Sequence, residues 1–232
     1  MQEPIDSAAL LTRAEDLVNL ARKAGATEAD AVIVRSRSRS VAVRLGKLES
    51  VDSSESDDFS LRVFVGNRVA SVSANPGFDA RTLAERAVAM AKASPEDPFA
   101  CLADEADLSR DHADLGLLDL TEVSSQDLTD AALEMESAAL AVPGVTNSGG
   151  SGASAALYGL VLVTSHGFSG AYIGSRFGRG ISVIAGEGTA MERDHEGDSR
   201  SRYADLDAST ELGRKAAERA VRRLNPRKAA TG

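Results

Sequence analysis

The feature that most constrains this chain is a pattern that runs through it twice. Each pass reads as an amphipathic helix, several β-forming runs parted by turn residues, and a second amphipathic helix. In the first pass, Leu10, Leu11, Ala14, Leu17, Val18 and Ala21 recur at spacings of three and four. That spacing predicts a helix from about Ser7 to Ala24, with Asp6 or Ser7 at its start and Gly25 at its end. Alternating apolar runs at Ala31–Val34 and Val41–Leu45 flank the polar stretch Arg35–Ser40, which reads as the exposed end of a hairpin. Gly66-Asn67 joins the β-forming run Phe59–Val65 to another at about Arg68–Ser73, as a two-residue hairpin turn does. After Asn75-Pro76-Gly77, the stripe Leu83, Ala87, Val88 and Ala91 predicts a helix over about Asp79–Ala93, stopped at Ser94-Pro95.

The second pass opens with a helix over Ser125–Ala141, ended by Pro143-Gly144. Strand-like runs follow at Ala155–Thr164, Ser169–Phe177 and Gly180–Ala185, with Ser165-His166-Gly167 and Gly178-Arg179 as turns. A polar stretch covers 186–202, and a last helix covers about Ala208–Leu224 with Leu212, Ala216, Ala220 and Val221 inward. The period is too long for a solenoid. It predicts an α+β fold of two related helix–antiparallel strands–helix units, an internal duplication with helices packed on a mostly antiparallel sheet. The expected sub-units are 1–95 and 124–232, joined by an acidic connector at 96–123.

Composition adds limits on partners. Aromatic residues make up 4% and Trp is absent, so the core must be aliphatic. A net charge of −9 disfavours direct nucleic-acid binding. Cys101 is the only cysteine and cannot form an internal disulfide, which fits a reducing, cytoplasmic setting. The first residues carry acids and no long apolar run, so no membrane partner is expected.

Several sets of side chains could in principle carry chemistry. Asp194-His195-Glu196, with Glu192 and Asp198, is the densest group of metal-capable side chains, but one His among carboxylates is a poor zinc set, and the segment reads as a solvated acidic loop. His112, His166 and His195 have no second His at helical spacing, and no Gly-x-Ser-x-Gly elbow marks a nucleophile. Asn147–Gly152 lacks the Lys-Ser/Thr of a phosphate loop and reads as a flexible connector. Arg35, Arg37 and Arg39 alternate with Ser without interleaved aromatics, as a charged hairpin tip would. Arg222 and Arg223 suit the end of a helix, with Arg227 and Lys228 beyond them. Cys101, in an acidic stretch, is not a favoured thiolate. No catalytic residue and no metal ligand is assigned in this chain.

An ordered set of segments resembles the PmbA/TldE branch of the TldD/PmbA family. These are Ser94-Pro95-Glu96-Asp97-Pro98, Thr146–Ser151, Ser165-His166-Gly167, Ala190-Met191-Glu192-Arg193-Asp194, and Arg222-Arg223-Leu224-Asn225-Pro226-Arg227-Lys228. The resemblance implies the N-terminal domain alone, with the family's β-rich C-terminal domain past Gly232, where the TldD branch carries a metal-binding HExxxH that is degenerate in the PmbA branch. It implies a subunit, non-catalytic in itself, of a TldD–TldE peptidase that degrades unstructured peptides. It further implies no cofactor here, with a zinc-type metal only in the TldD partner. Pairing would be a heteromer with a TldD-like subunit or a homodimer. Met191, Glu192, Arg193 and Asp194 would form a loop facing substrate or partner, and strand edges could receive an extended peptide. The family label, modulator of DNA gyrase, leaves an alternative: a non-proteolytic protein acting on a gyrase-related partner.

Overall fold

The computed structural model describes residues 5–109 and 113–226. Its order is α1 (Ser7–Ala24), β1 (Glu28–Arg44), β2 (Lys47–Val65), β3 (Arg68–Ala74), α2 (Ala80–Ala93), α3 (Ser125–Leu140), β4 (Val145–Thr164), β5 (Ser169–Ala185), β6 (Glu192–Arg200) and α4 (Ser209–Arg222). The doubled pattern is therefore present element for element. The strands lie in the order β3-β2-β1-β4-β5-β6, so each pass lays its strands outward in the same sequence and ends on a sheet edge. The β2–β3 and β5–β6 pairs are antiparallel.

Local signals explain the helices. Asp6 caps α1 by accepting from the Ala9 N–H, and Gly25 ends it in the left-handed conformation at φ 106°. Asp79 caps α2 through the Thr82 N–H, and Ser124 with Asp127 forms a capping box on α3. The cores are mostly aliphatic, with Phe59, Phe64 and Phe177 buried among the aliphatic side chains. Leu10, Leu17, Leu83, Val88, Ile33, Leu61 and Val63 are buried in one unit. In the other, Met135, Ala139, Val183, Leu212, Ala216 and Ala220 form one cluster and Val41, Val43, Leu128 and Phe177 another.

Two compact units emerge, and they do not follow the chain in order. One takes described residues within Met1–Arg37, Glu55–Gly116 and Tyr158–Gly174, and the other takes those within Ser38–Ser54, Leu117–Leu157 and Ser175–Gly232. The long strands β1, β2, β4 and β5 give part of their length to each, whereas sequence reading divided the chain at 96–123. Within that connector, Leu117 and Asp119 are pinned to Ser175, and Asp119 also accepts from the Tyr203 N–H.

Four local expectations need correction. Arg35–Ser40 is no hairpin tip but lies inside β1, and the turn sits at Leu45-Gly46, both at positive φ (49° and 72°). Polarity here reflects polar pairing across strands and not exposure. Arg35 forks onto Asp57 at 2.6 Å, Ser36 meets Ser56 at 2.9 Å, and Arg37 faces Glu55 at 3.5 Å. Asn147–Gly152 is no flexible connector but the start of β4. Ser148 and Ser151 are buried there, and a Cβ on Gly152 would sit 3.0 Å from the Val41 carbonyl oxygen, so close strand approach selects small residues. Gly178-Arg179 is no turn but mid-β5, where Gly178 clears Ser154 Oγ. The polar stretch 186–202 contains β6.

The Arg35–Asp57 pair gives a prediction. The Arg35 hydrogen bond holds the Asp57 carboxyl below its ordinary pKa. A depressed folded pKa adds stability above the unfolded value, about pH 4, and that stability is lost as pH falls through the folded value. Arg35→Ala is expected to cost about 1 kcal/mol at neutral pH by urea unfolding, with the difference shrinking at about pH 3. An unchanged difference at low pH would assign the cost to lost packing.

Candidate functional site

Met191–Asp194 does not form one loop. Met191 stands exposed after a short 3-10 turn, and Glu192, Arg193 and Asp194 begin β6. Glu192, Asp194, Glu196 and Asp198 alternate along this edge strand, and α4 packs against it. Asp194 is only 6% exposed; its carboxylate meets Arg223 Nε at 3.0 Å and Arg219 Nη2 at 3.4 Å. Glu196 meets Arg219 Nη1 at 3.0 Å.

The acids also work along the strand. Asp194 accepts from the His195 N–H at 2.8 Å, Glu196 from the Gly197 N–H at 3.2 Å, and Asp198 from the Ser199 N–H at 2.9 Å. The carbonyls that share this side are taken by α4: Arg223 donates to the Arg193 oxygen and Arg219 to the His195 oxygen. The N–H groups of His195, Gly197 and Ser199 and the carbonyls of Arg193 and His195 are therefore taken by side chains. A strand edge so bonded is poorly disposed to add a further strand.

Burial alone would raise the Asp194 pKa. The His195 N–H, Arg223 and Arg219 together outweigh it and hold the carboxyl below its ordinary value. Asp198 behaves alike, with burial opposed by the Asp207 N–H and Arg200. A zinc ion needs open lone pairs on converging ligands. Here the Asp194 carboxylate is committed to two guanidinium groups and an amide, so these residues do not fit one. No group of His, Cys, Asp and Glu among the described residues is arranged to hold a metal ion.

Of the other candidates, Ser165 and His166 hold structure together. His166 Nε2 lies 3.2 Å from Glu28, whose second oxygen accepts from the Leu102 N–H. Ser165 brackets Ala29 with two hydrogen bonds, and His166-Gly167 turns as expected. Cys101 is exposed. His112, Arg227 and Lys228 lie outside the described residues. Arg223 binds β6 as well as ending α4.

Two depressions among the described residues bear on the site. One, of about 460 Å³, is lined by Ser40, Ser154, Gly178, Gly180, Arg176 and Ser199 among others, with no imidazole to activate a serine. The other, of about 340 Å³, lies between β1, β2 and the end of β3, over Val32, Val34, Asp58, Ser60 and Ser73. Sequence reading missed the edge lock. Its signal was present: acids two apart at 192, 194, 196 and 198, and arginines four apart at 219 and 223.

Comparison with known proteins adds the family. Residues 29–91 match the family model of the PmbA/TldA metallopeptidase domain 1, and residues 118–224 match that of the PmbA/TldA metallopeptidase central domain. The chain is 33% identical over 208 residues to metalloprotease PmbA of Escherichia coli O157:H7, covering 88% of this chain and 46% of that protein. It is 30% identical over 217 residues to a metalloprotease PmbA homolog of Haemophilus influenzae, covering 92% and 48%. It thus spans about half the length of these curated relatives. A crystal structure from Bacteroides thetaiotaomicron, described as a modulator of DNA gyrase, superposes with a TM-score of 0.88 at 22% identity over 97% of this chain and 52% of that one. TldE from Thermococcus kodakarensis superposes with a TM-score of 0.73 at 18% identity over 90% and 46%. At these identities the likeness establishes the fold.

Proposed function

The chain belongs to the PmbA/TldD metallopeptidase family, and we propose that it forms the N-terminal, non-catalytic part of a PmbA/TldE-type subunit that acts with a TldD-like partner on unstructured peptides. The observation that carries this reading is the use made of the chain's densest acidic set. Asp194 and Glu196 are spent on Arg219, Arg223 and their own strand, so they act as structure and not as ligands or bases. The family relation supplies the peptidase setting, and the chemistry of cleavage then falls to the partner. Any metal would reside there.

The test is reconstitution. The full-length subunit and its TldD-like partner are purified separately, and cleavage of an unstructured peptide is followed for each alone and for the mixture. Activity is expected in the mixture only. Full activity from the TldD-like protein alone would remove the role proposed for this subunit.

A further inference from the structure

The two edges of the sheet are treated differently, although β3 and β6 occupy equivalent places in the repeat. On the β6 edge, three acids and two arginines take backbone groups, as described above. Along Val69–Ala74 of β3, no hydrogen bond joins the outward backbone to any described residue. α2 packs against β3, but hydrogen bonds from described residues reach only the start of the strand: Arg68 bonds the Lys92 and Ser94 carbonyls, and Asn67 accepts from the Asp97 N–H. An edge whose outward backbone groups are not bonded offers N–H and C=O groups at the spacing of an added strand.

Beside this edge lies the depression of about 340 Å³. Ser73 and Ser60 are paired neighbours across β3 and β2, and both line it, so small side chains separate the edge from its interior. Val32 and Val34 give aliphatic wall. Asp58 gives a carboxylate whose one hydrogen bond among the described residues is from the neutral Ser56 hydroxyl, while the adjacent Asp57 is held by Arg35. A strand added to β3 would stand two strand spacings from β2, roughly 10 Å. A lysine stem crosses most of that distance along apolar surface and carries its ammonium to the carboxylate.

We infer that β3 binds an extended peptide by strand addition, with one lysine of the peptide reaching over Ser73 to Asp58. The occupant is an unstructured peptide and not a folded partner's edge, because the free edge is only a few residues long. This rests on the reading that the subunit handles peptides, but it is tested without the partner and without cleavage, so the two can fail separately.

The probe is a nine-residue blocked peptide of alternating serine and valine with lysine at its centre, beside a counterpart with glutamate there. Amide exchange of the chain is followed by NMR with each. The lysine peptide is expected to protect alternate amides within 69–74 and to bind roughly fivefold tighter than the glutamate peptide. Asp58→Asn should remove that preference and leave the thermal midpoint unchanged, since no ion pair joins Asp58 to a described residue. Equal binding of the two peptides, protection elsewhere, or protection that rises with the chain's own concentration would each overturn the inference.

Discussion

Gly213→Ala is expected to destabilise the chain by about 3 kcal/mol or more, against the direction that helix propensity predicts. Gly213 lies inside α4, where alanine ordinarily gains about 1 kcal/mol over glycine. Here there is no room. A Cβ at this position falls onto the Met135 carbonyl oxygen of α3, with the carbonyl carbon at 3.1 Å and the Ala139 nitrogen at 3.2 Å. These are backbone atoms, so no rotamer change relieves the overlap. The two helices must separate, and the cluster of Met135, Ala139, Leu212, Ala216, Ala217 and Ala220 opens with them. Urea unfolding followed by circular dichroism decides the sign. Thr210→Ala, exposed in the first turn of the same helix, should change little. A Gly213→Ala variant more stable than the parent would mean that α3 and α4 do not approach this closely.

That contact was not legible in the sequence, and the reason is general to this chain. Elements set by local chemistry were readable: Asp6 and Gly25 bound α1, Gly66-Asn67 turns β2 into β3, and the doubled order of elements appears as expected. What failed was the reading of small and polar residues. Arg35–Ser40, Asn147–Gly152 and the polar stretch 186–202 lack the apolar alternation that marks a strand, yet the first two lie in strands and the third contains β6. In each case the explanation lies in a neighbour distant in sequence: Asp57 for Arg35, the Val41 carbonyl for Gly152, and Arg219 and Arg223 for Asp194. Long strands that pass through two compact units carry polar cross-strand pairs along their length, so hydrophobic alternation alone under-reports them.

Asp194→Ala should cost about 2 kcal/mol at neutral pH without altering metal content. Removing one member of a buried pair can cost more. However, the Arg219 and Arg223 side chains are 39% and 58% exposed, so water recovers part of their charge, and Arg219 keeps Glu196. The loss also frees the His195 N–H on the β6 edge. The sign with pH follows from the Asp194 carboxyl being held below its ordinary value. Its contribution is complete above the unfolded value, about pH 4, and disappears as pH falls through the folded value. Parent and variant should therefore differ most at neutral pH and converge in acid. A metal ligand would behave otherwise: its removal would release metal, and a chelator would erase the difference between the two proteins. Unfolding curves at two pH values, with elemental analysis of both proteins, separate these cases. Stoichiometric zinc in the parent that Asp194→Ala loses would turn the edge lock into a metal site and reopen the assignment of catalysis to the partner.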